Sequence, residues 1–508
     1  MTLLYEGREW NFEKVKRAYD AVEEIALTEM GLDVYPCQVE VITSEQMLDA
    51  YASIGLPILY RHWSFGKRFI QDEGLYRKGY QGLAYEIVIN SDPCLCYIME
   101  ENSMTMQTLV LAHAAFGHNH FFKNNNLFRQ WTDATAILDY LSFARDYVSR
   151  CEERYGVPAV ERILDAAHAL QMQGINRYAR RARRSLVEEL ARERERRDYE
   201  ATTWNPLWTT IPGLKQDSQP ESLQLPQDER PTIPVELPEE NLLYFLEKNS
   251  PVLRGWEREI LRIVRNLAQY FYPQRQTKMM NEGCATFVHY EIMTRLHEQG
   301  QIDDGSFLEF LQSHTAVTFQ PDFEDRRYGG LNPYAMGFAI MRDIQRICRE
   351  PTEEDGRWFP DIAGNGDPMG TLRDVWANYR DESFVLQYLS PKVIRDFRMV
   401  ALHGDEGRPY FEVAAIHDSQ GYRTIRTALA REYECARIDP EIEVTGADLA
   451  GTRRLLLEHR VHEGQRLVPS TIRNTLQHVR NLWGHSVRLR EIDAKTGKTL
   501  TDGETEIA

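Results

Sequence analysis

Three histidines, His113, His118 and His120, lie in the segment LAHAAFGHNHFFKNNN at residues 111–126. Neutral imidazole is a common ligand of zinc and similar divalent ions, so this segment raises the hypothesis of a metal site. In a regular helix His113 and His118 would point about 140° apart, because they are separated by five positions. A one-residue π-bulge or an early helix end at Gly117 would bring the pair towards one face. The spacing leaves two interpretations open, a metal site and a pair of buried, hydrogen-bonded histidines.

A second polar pair lies in MMNEGCATFVHYEIM (279–293), where Glu282 and His289 are seven positions apart. On a helix these side chains are about 20° from alignment but about 10 Å apart along the axis, so only one is expected to bind an ion directly. We predict that one of the two completes a metal site with His113 and His118, and that the other supports a ligand or transfers protons in catalysis. The alternative is a helix packed through its small residues, with Glu282 an ordinary acid of the first turn.

The elements that must position these residues are mainly helices, with a short strand element before the histidine segment. Hydrophobic periodicity predicts an amphipathic helix over 12–31. Runs of β-branched and aromatic residues predict two strands, or one strand and an extended segment, within 82–102. Asn102 or Ser103 is expected to cap a buried helix that continues into the histidines.

Composition divides the chain into four regions and predicts an α+β protein with a mainly α-helical N-terminal body. Residues 1–199 form a mainly helical region, whose last predicted helix ends at residue 199. Residues 200–240 are rich in proline, glutamine and serine, which is typical of an extended or partly disordered linker. Residues 241–400 return to helical patterns and are expected to pack with the first region.

The fourth region, residues 401–508, has a different pattern. Its predicted elements run in the order strand, helix, strand, strand, helix, strand. The order βαββαβ is that of a ferredoxin-like domain, so we predict one four-stranded antiparallel sheet covered on one face by two helices.

Length and charge exclude some classes of protein. The chain has 508 residues, of which 42% are hydrophobic, so two or three domains are expected. A formal net charge of −17 argues against a general nucleic-acid binder, because such proteins usually present a basic surface. No run of about 18 apolar residues and no N-terminal leader pattern is found, so we expect a cytoplasmic protein without an integral membrane segment. The seven scattered cysteines are expected to be reduced, buried thiols.

Seven motifs carry a family resemblance: RHWSFGKRF, LAYEIVINSDP, AHAAFGHNHFFKNN, INRYARR, MNEGCATFVH, NPYAMGF and QYLSPKVIRDF. They occur in this order across nearly the whole chain, and the sequence resembles the SpoVR family, named for stage V sporulation protein R. The resemblance implies a role in spore cortex formation, or in stationary-phase and nutrient-stress responses. It also implies two partners, a PrkA-type serine kinase and a YeaH/YhbH-type protein.

A more distant likeness concerns mechanism. A strand, a buried helix with two histidines and a later helix with Glu-Gly-x-Ala are similar to the layout of zinc peptidases of the gluzincin kind. This likeness implies zinc as the divalent metal and Glu282 as its third ligand. It departs at Ala114, which replaces the glutamate that activates water in those enzymes. His289, or Glu100 or Glu101 near the start of the histidine segment, is the expected substitute.

Two functional hypotheses from different classes follow. The first is a SpoVR-like factor with a buried His/Glu metal site and hydrolase activity on a peptide or cell-wall precursor. The second is a non-enzymatic adaptor that binds the kinase and its companion protein. Ala114 favours the adaptor, whereas the pairing of the histidine segment with Glu-Gly-x-Ala favours the metal site.

Other polar residues have less specific patterns. Asn332 and Tyr334, in GGLNPYAMGF, are expected either to line a pocket or to form a fixed turn. His168 shares a helical face with Asp165, and a buried, hydrogen-bonded histidine is the favoured interpretation. No phosphate-loop or dinucleotide-binding motif occurs in the sequence.

Overall fold

The computed structural model of the chain describes residues 3–53, 55–56, 58–77, 86–178, 194, 237–404, 411–449 and 451–508. The chain divides into two compact units, one made of residues 1–164 and 266–439 and the other of residues 165–265 and 440–508. The predicted linker at 200–240, apart from its last four residues, lies outside the described residues, as does most of the predicted helix up to residue 199. Among the described helices none is long and apolar enough to span a membrane.

The first unit is mainly helical, and the α+β class of the chain is confirmed. The predicted amphipathic helix over 12–31 is present as Phe12–Glu24 followed by a π-helical segment Ile25–Glu29. The other helices that lie wholly or partly in this unit, apart from those around the histidine segment, are Ser44–Ala52, Trp63–Arg77, Asn126–Trp131, Ile137–Tyr155, Val157–Ala169, Gly255–Gln276, Lys278–Glu298, Asp304–Val317, Pro333–Arg349, Glu353–Trp358, Pro368–Asn378, Asp381–Tyr388, Pro391–Asp396, Ser419–Arg431 and Cys435–Ile438.

A three-stranded sheet precedes the histidine segment. Its strands are β1 (Cys37–Ile42), β2 (Glu86–Ile89) and β3 (Cys94–Met99), in the spatial order β1-β3-β2. Strand β1 is parallel to β3, and β2 is antiparallel to it. Every residue of β3 is buried, which explains its continuous apolar sequence. The two strands predicted within 82–102 are therefore confirmed, and β1 is an additional strand.

The C-terminal strands pair differently from the ferredoxin-like prediction, which is wrong in this respect. Strand β5 (Phe411–Ala415) pairs with β4 (Ala401–Gly404) in a separate two-stranded sheet. The four-stranded sheet consists, in this order, of β6 (Glu441–Ala447), β7 (Leu455–Val461), β8 (Val487–Asp493) and β9 (Thr499–Ile507). Strands β7 and β8 are parallel, so the sheet is mixed and not antiparallel.

The fourth place in this sheet is taken by β9, which follows β8 through a tight turn. The turn contains Gly497 at a φ of +66°, a conformation that glycine adopts without steric cost. The second unit also contains the helices Leu242–Asn249 and Pro469–Trp483 and a short 3₁₀ segment, Gln171–Gln173. The segment 401–439 belongs to the first unit, whereas the sequence analysis placed a domain boundary at residue 401.

Three helices surround the predicted site residues, and glycines allow their backbones to touch. The histidine helix comprises residues 104–124, the glutamate helix is Lys278–Glu298, and the Gly337 helix is Pro333–Arg349. A Cβ atom added to Gly117 of the histidine helix would lie 2.6 Å from the Cα of Ala285. A Cβ atom added to Gly283 would lie 2.6 Å from the Cα of Gly337. These backbones have no room for side chains at their crossings.

The Gly283→Ala substitution is therefore expected to destabilise the protein. Its methyl group must separate the glutamate helix from the Gly337 helix, and such overpacking typically costs about 1–3 kcal/mol of the free energy of unfolding. Gly356→Ala is the matched control, because Gly356 lies in the helix Glu353–Trp358 with no atom within 4 Å of an added Cβ. Denaturant unfolding should show a loss for the first variant and no loss for the second. Equal stability of the two variants would contradict the proposed crossing.

Candidate metal centre

Ser103 is the N-cap of the histidine helix. Its hydroxyl accepts a hydrogen bond from the Met106 backbone N–H at 3.1 Å. Its middle segment, Leu111–His118, is π-helical and entirely buried. In a π-helix residues i and i+5 are linked by hydrogen bonds and lie close together. The rings of His113 and His118 are accordingly in contact, with centroids 4.6 Å apart. The predicted distortion near Gly117 is present, but it extends over eight residues instead of one.

Glu282 of the glutamate helix faces both histidine rings. Its Oε2 atom lies 3.7 Å from Nε2 of His118 and 4.0 Å from Nε2 of His113. This oxygen is buried and has no hydrogen-bond partner. The structure thus brings together the three residues that the sequence analysis predicted as metal ligands.

Glu86, the first residue of β2, is a fourth member of the cluster that the sequence analysis missed. Its Oε1 atom lies 3.7 Å from Nε2 of His113. One ligand atom each from Glu86, His113 and His118 lies within 4.8 Å of the others. The available signal was a carboxylate at the start of the otherwise apolar run EIVI, but the approach of β2 to the histidine helix could not be read from the sequence.

Contacts to the Nδ1 atoms of His113 and His118 orient their rings. Nδ1 of His118 donates to Oδ1 of Asn281 at 2.9 Å, which leaves its Nε2 lone pair facing Glu282. Nδ1 of His113 lies 2.9 Å from Nδ1 of His289. Nε2 of His289 in turn lies 3.0 Å from Nδ1 of His314. Both ring nitrogens of His289 therefore contact other histidines. His314 is a further residue of this row of histidines, and the sequence analysis did not identify it.

Burial sets the protonation of the cluster. It lowers the pKa values of His113 and His289 well below the usual range, and neighbouring histidines lower them further. It also lowers the pKa of His314 to about 4. Burial, followed by the charge of Glu282, raises the pKa of Glu86 to about 8. Neutral imidazoles are the form that binds metal ions.

Tyr334 also reaches the cluster. Burial, followed by the charges of Glu282 and Glu86, raises the pKa of its phenol, whose hydroxyl donates a hydrogen bond to Glu282. Asn332 caps the Gly337 helix by accepting from the Tyr334 backbone N–H at 3.0 Å. The fixed turn and the contact with the site are thus both present.

Three other residues considered in the sequence lie outside the cluster. His120 lies on another side of the histidine helix, where its Nδ1 atom is 3.0 Å from the backbone nitrogen of Asp33. Glu100 and Glu101 are exposed, and Glu101 accepts from the Ser44 backbone N–H at 3.4 Å. Neither glutamate is available as the substitute for the residue replaced by Ala114.

The donor set fits a divalent ion such as zinc. Ligand atoms at about 2.1 Å from a tetrahedral ion are about 3.4 Å from one another. The distances of 3.7 and 4.0 Å from Glu282 to the two histidines are only slightly larger. The unpartnered oxygen of Glu282 and the two Nε2 atoms are therefore at distances that suit ligands of one ion.

A buried aspartate anchors the start of the glutamate helix. The two carboxylate oxygens of Asp381 each accept a backbone N–H, from Met279 and Met280, at 2.9 Å. Asp381 is 1% exposed, and burial raises its pKa to about 7. These bonds satisfy two N–H groups of the first helical turn, three and two residues before Glu282. The position of Glu282 therefore depends on a side chain about 100 residues later in the chain.

Comparisons with known proteins agree with the motifs. The model of the family described as "SpoVR like protein" matches residues 9–438, and that of the "SpoVR-like C-terminal domain" matches residues 440–494. The chain belongs to the SpoVR family. It is 50% identical over 491 residues to "Uncharacterized protein YcgB" of Escherichia coli (strain K12), covering 96% of this chain and 94% of the relative. No solved structure matches the chain.

The family models meet where the structure divides. The boundary between the two SpoVR models, at residues 438–440, coincides with the start of the C-terminal part of the second unit at residue 440. All members of the buried cluster, from Glu86 to Tyr334, lie within the first model. The cluster therefore belongs to the main SpoVR region and not to the C-terminal domain.

The Asp381→Ala substitution is expected to destabilise the protein and to loosen the site. It leaves two buried N–H groups without acceptors, and each such group costs about 1–3 kcal/mol. Asp381→Asn, which keeps one acceptor oxygen, should be intermediate. Asp361→Ala, at an exposed turn residue, is the control and should change the free energy of unfolding by less than about 0.5 kcal/mol. Thermal and denaturant unfolding check this order, and an unaltered Asp381→Ala protein would refute the anchoring role.

Proposed function

We propose that this SpoVR-family chain is a metal-dependent hydrolase that binds one divalent ion between His113, His118 and Glu282. The observation that carries the proposal is the buried Oε2 atom of Glu282, which has no hydrogen-bond partner and lies within 4.0 Å of Nε2 of each histidine. A buried carboxylate oxygen without a hydrogen-bond partner is costly unless a cation compensates it. A metal ion is the compensation that this geometry suits.

Zinc is the proposed ion, because two imidazoles and one carboxylate are a ligand set typical of catalytic zinc. Three protein ligands leave one coordination position open for water or substrate. When bound, the ion supplies Lewis acidity towards a substrate oxygen. The peptide or cell-wall precursor class of substrate rests on the likeness to gluzincins and on the sporulation role that the family resemblance implies.

Glu86 is the proposed general base. The residue after His113 is Ala114, so the histidine helix cannot provide the carboxylate that gluzincins use. Strand β2 instead brings Glu86 to 3.7 Å from Nε2 of His113. A bound divalent cation would offset the burial and the charge of Glu282 that raise the pKa of Glu86, and the ionised carboxylate can then accept a proton from a water molecule beside the ligands. Tyr334 donates its phenolic hydrogen bond to Glu282 and so helps to orient that carboxylate.

His289 is proposed to position His113 and not to touch the substrate. Its Nδ1 and Nε2 atoms face His113 and His314 at 2.9 and 3.0 Å. A hydrogen bond on the non-ligating nitrogen fixes the ring orientation and tautomer of a metal-binding histidine. This role replaces the direct proton transfer that the spacing in the sequence first favoured.

A non-enzymatic adaptor is the second candidate function, and Glu86 is also the observation that favours it. With Glu86 as a fourth ligand the site would be closed, and closed four-ligand zinc sites are structural. The chain would then act by binding the PrkA-type kinase and the YeaH/YhbH-type protein that the family resemblance implies. The two candidates therefore differ in what Glu86 does.

Metal binding by the tag-free protein tests both candidates. Glu282→Gln should lower the zinc affinity by at least about tenfold, because it removes a charged ligand. Glu298→Gln, at an exposed position of the same helix, is the control and should leave zinc binding unchanged. Glu86→Gln separates the candidates: a general base leaves the zinc affinity within about twofold of wild type, whereas a fourth ligand lowers it as Glu282→Gln does. Elemental analysis and zinc titration give these values, and a wild-type protein that binds no divalent metal would refute the site.

The role of His289 is tested by two substitutions. His289→Ala should lower the zinc affinity by about 10–100-fold, the usual effect of losing a supporting hydrogen bond. His289→Asn retains a polar side chain and should recover part of the affinity. Thermal unfolding of both variants controls for loss of fold. A folded His289→Ala protein with the wild-type zinc affinity would rule out a positioning role.

A further inference from the structure

Three cysteines lie together on one face of the three-stranded sheet. Cys37 of β1 is the registered partner of Cys94 on the parallel strand β3, and Cys96 lies two residues further along the same strand. Residues two apart on a strand point to the same face, so the three side chains share one side of the sheet. The Sγ atoms of Cys37 and Cys96 are 3.2 Å apart. The two sulfurs are therefore in contact without being bonded.

Exposure distinguishes Cys37 from the other thiols. All seven cysteines of the chain are described and free, and Cys37 alone is partly exposed. Cys94 is 0% and Cys96 is 1% exposed. Cys37 is therefore the thiol of this cluster that is closest to solvent, and the nearest thiols to it are buried.

The electrostatics of the cluster favour reaction at the same residue. Hydrogen bonds from the thiols of Cys94 and Cys96 lower the pKa of Cys37 below its usual value. The same interactions raise the pKa values of Cys94 and Cys96. The thiolate is the nucleophilic form of cysteine, so the accessible member of the cluster is also the most reactive one.

We propose that Cys37 and Cys96 form a peroxide-oxidised thiol pair. The Cys37 thiolate attacks the terminal oxygen of hydrogen peroxide or an organic hydroperoxide, the S–O bond forms and the O–O bond breaks. The departing hydroxide or alkoxide takes a proton and leaves as water or an alcohol. The Cys96 sulfur then attacks the Cys37 sulfenic acid, the S–S bond forms, the S–O bond breaks, and water leaves with the Cys96 proton. Two thiols lose two electrons in total, and the peroxide gains them.

Cys96 is assigned as the resolving thiol because its Sγ atom lies 3.2 Å from that of Cys37. A disulfide bond is about 2.05 Å long, so the two sulfurs must approach by about 1.2 Å. Cys94 lies opposite Cys37 across the strand pair and supports the thiolate by hydrogen bonding. The disulfide bond between Cys37 and Cys96 would link β1 to the central strand β3.

The pair lies close to the histidine helix but is separate from the metal centre. Tyr19 connects the two regions, because its ring packs on Phe116 of the histidine helix at a centroid distance of 5.3 Å. Burial, followed by the charge of Cys37, raises the pKa of the Tyr19 phenol. None of the three cysteines is among the proposed ligands, so the oxidation stands or fails independently of metal binding.

Oxidation of the full-length protein with hydrogen peroxide tests the proposal. Low equivalents should reduce the number of titratable thiols by two, and dithiothreitol should restore them. Peptide mapping without reduction should show one peptide pair joined between Cys37 and Cys96. Seven unchanged thiols, or a crosslink between Cys37 and Cys94, would overturn the assignment.

Two variants separate the steps. In Cys96→Ser the sulfenic acid on Cys37 should persist and be labelled by dimedone, whereas the wild-type protein should show little label there. Cys96→Ala is a second variant in case serine disturbs the buried position, and the same label is expected. Cys348→Ser, a buried cysteine elsewhere in the unit, is the matched control and should still form the crosslink. Absence of dimedone label in both folded Cys96 variants would refute Cys37 as the reacting thiol.

Discussion

Close packing of the glutamate helix against its two neighbours is the constraint on which the candidate metal centre depends. Gly117 lies against Ala285, and Gly283 lies against Gly337, at distances that leave no room for a Cβ atom. Because the backbones touch at these points, the residues next to the glycines are also close. The side chains of His118 and Glu282 approach each other to 3.7 Å. The short distances between Glu282 and the two histidines follow from this contact of the helix backbones.

Electrostatics explains why such a site suits a cation. The carboxyl groups of Glu86 and Glu282 lie beside the histidines of the cluster. The charge of Glu282 disfavours ionisation of Glu86, and each histidine disfavours protonation of its histidine neighbours. Asn281 contacts Nδ1 of His118, and His289, which is itself held by His314, contacts Nδ1 of His113, so that the Nε2 atoms face the carboxyl groups. In the proposed site a divalent ion would compensate the charge of Glu282 and bind neutral imidazoles. The proposed enzyme and adaptor functions share this centre and differ only in the role of Glu86.

The sequence was most informative where the signal is local. The cap at Ser103, the buried helix after it, the two strands within 82–102 and the helices of the C-terminal region all follow from periodicity and capping residues, and the structure contains them. The ferredoxin-like sheet failed because strand pairing is not local. Strand β5 pairs with β4, and the mainly polar β9 is the fourth strand of the sheet, paired with β8. Hydrophobic pattern identifies a strand but does not choose its neighbour.

By itself the sequence determined the residue types of the centre, the SpoVR motifs and the need for a distorted helix, since two histidines five positions apart cannot share a face of a regular α-helix. Only the tertiary structure decided that the distortion is an eight-residue π-helix. It also decided that Glu86 and Tyr334 belong to the cluster and that His120 lies outside it. It also decided that His289 faces two histidines. The physical reason is the same in each case: these contacts join segments up to about 250 residues apart, and their geometry is set by helix crossings that no local pattern encodes.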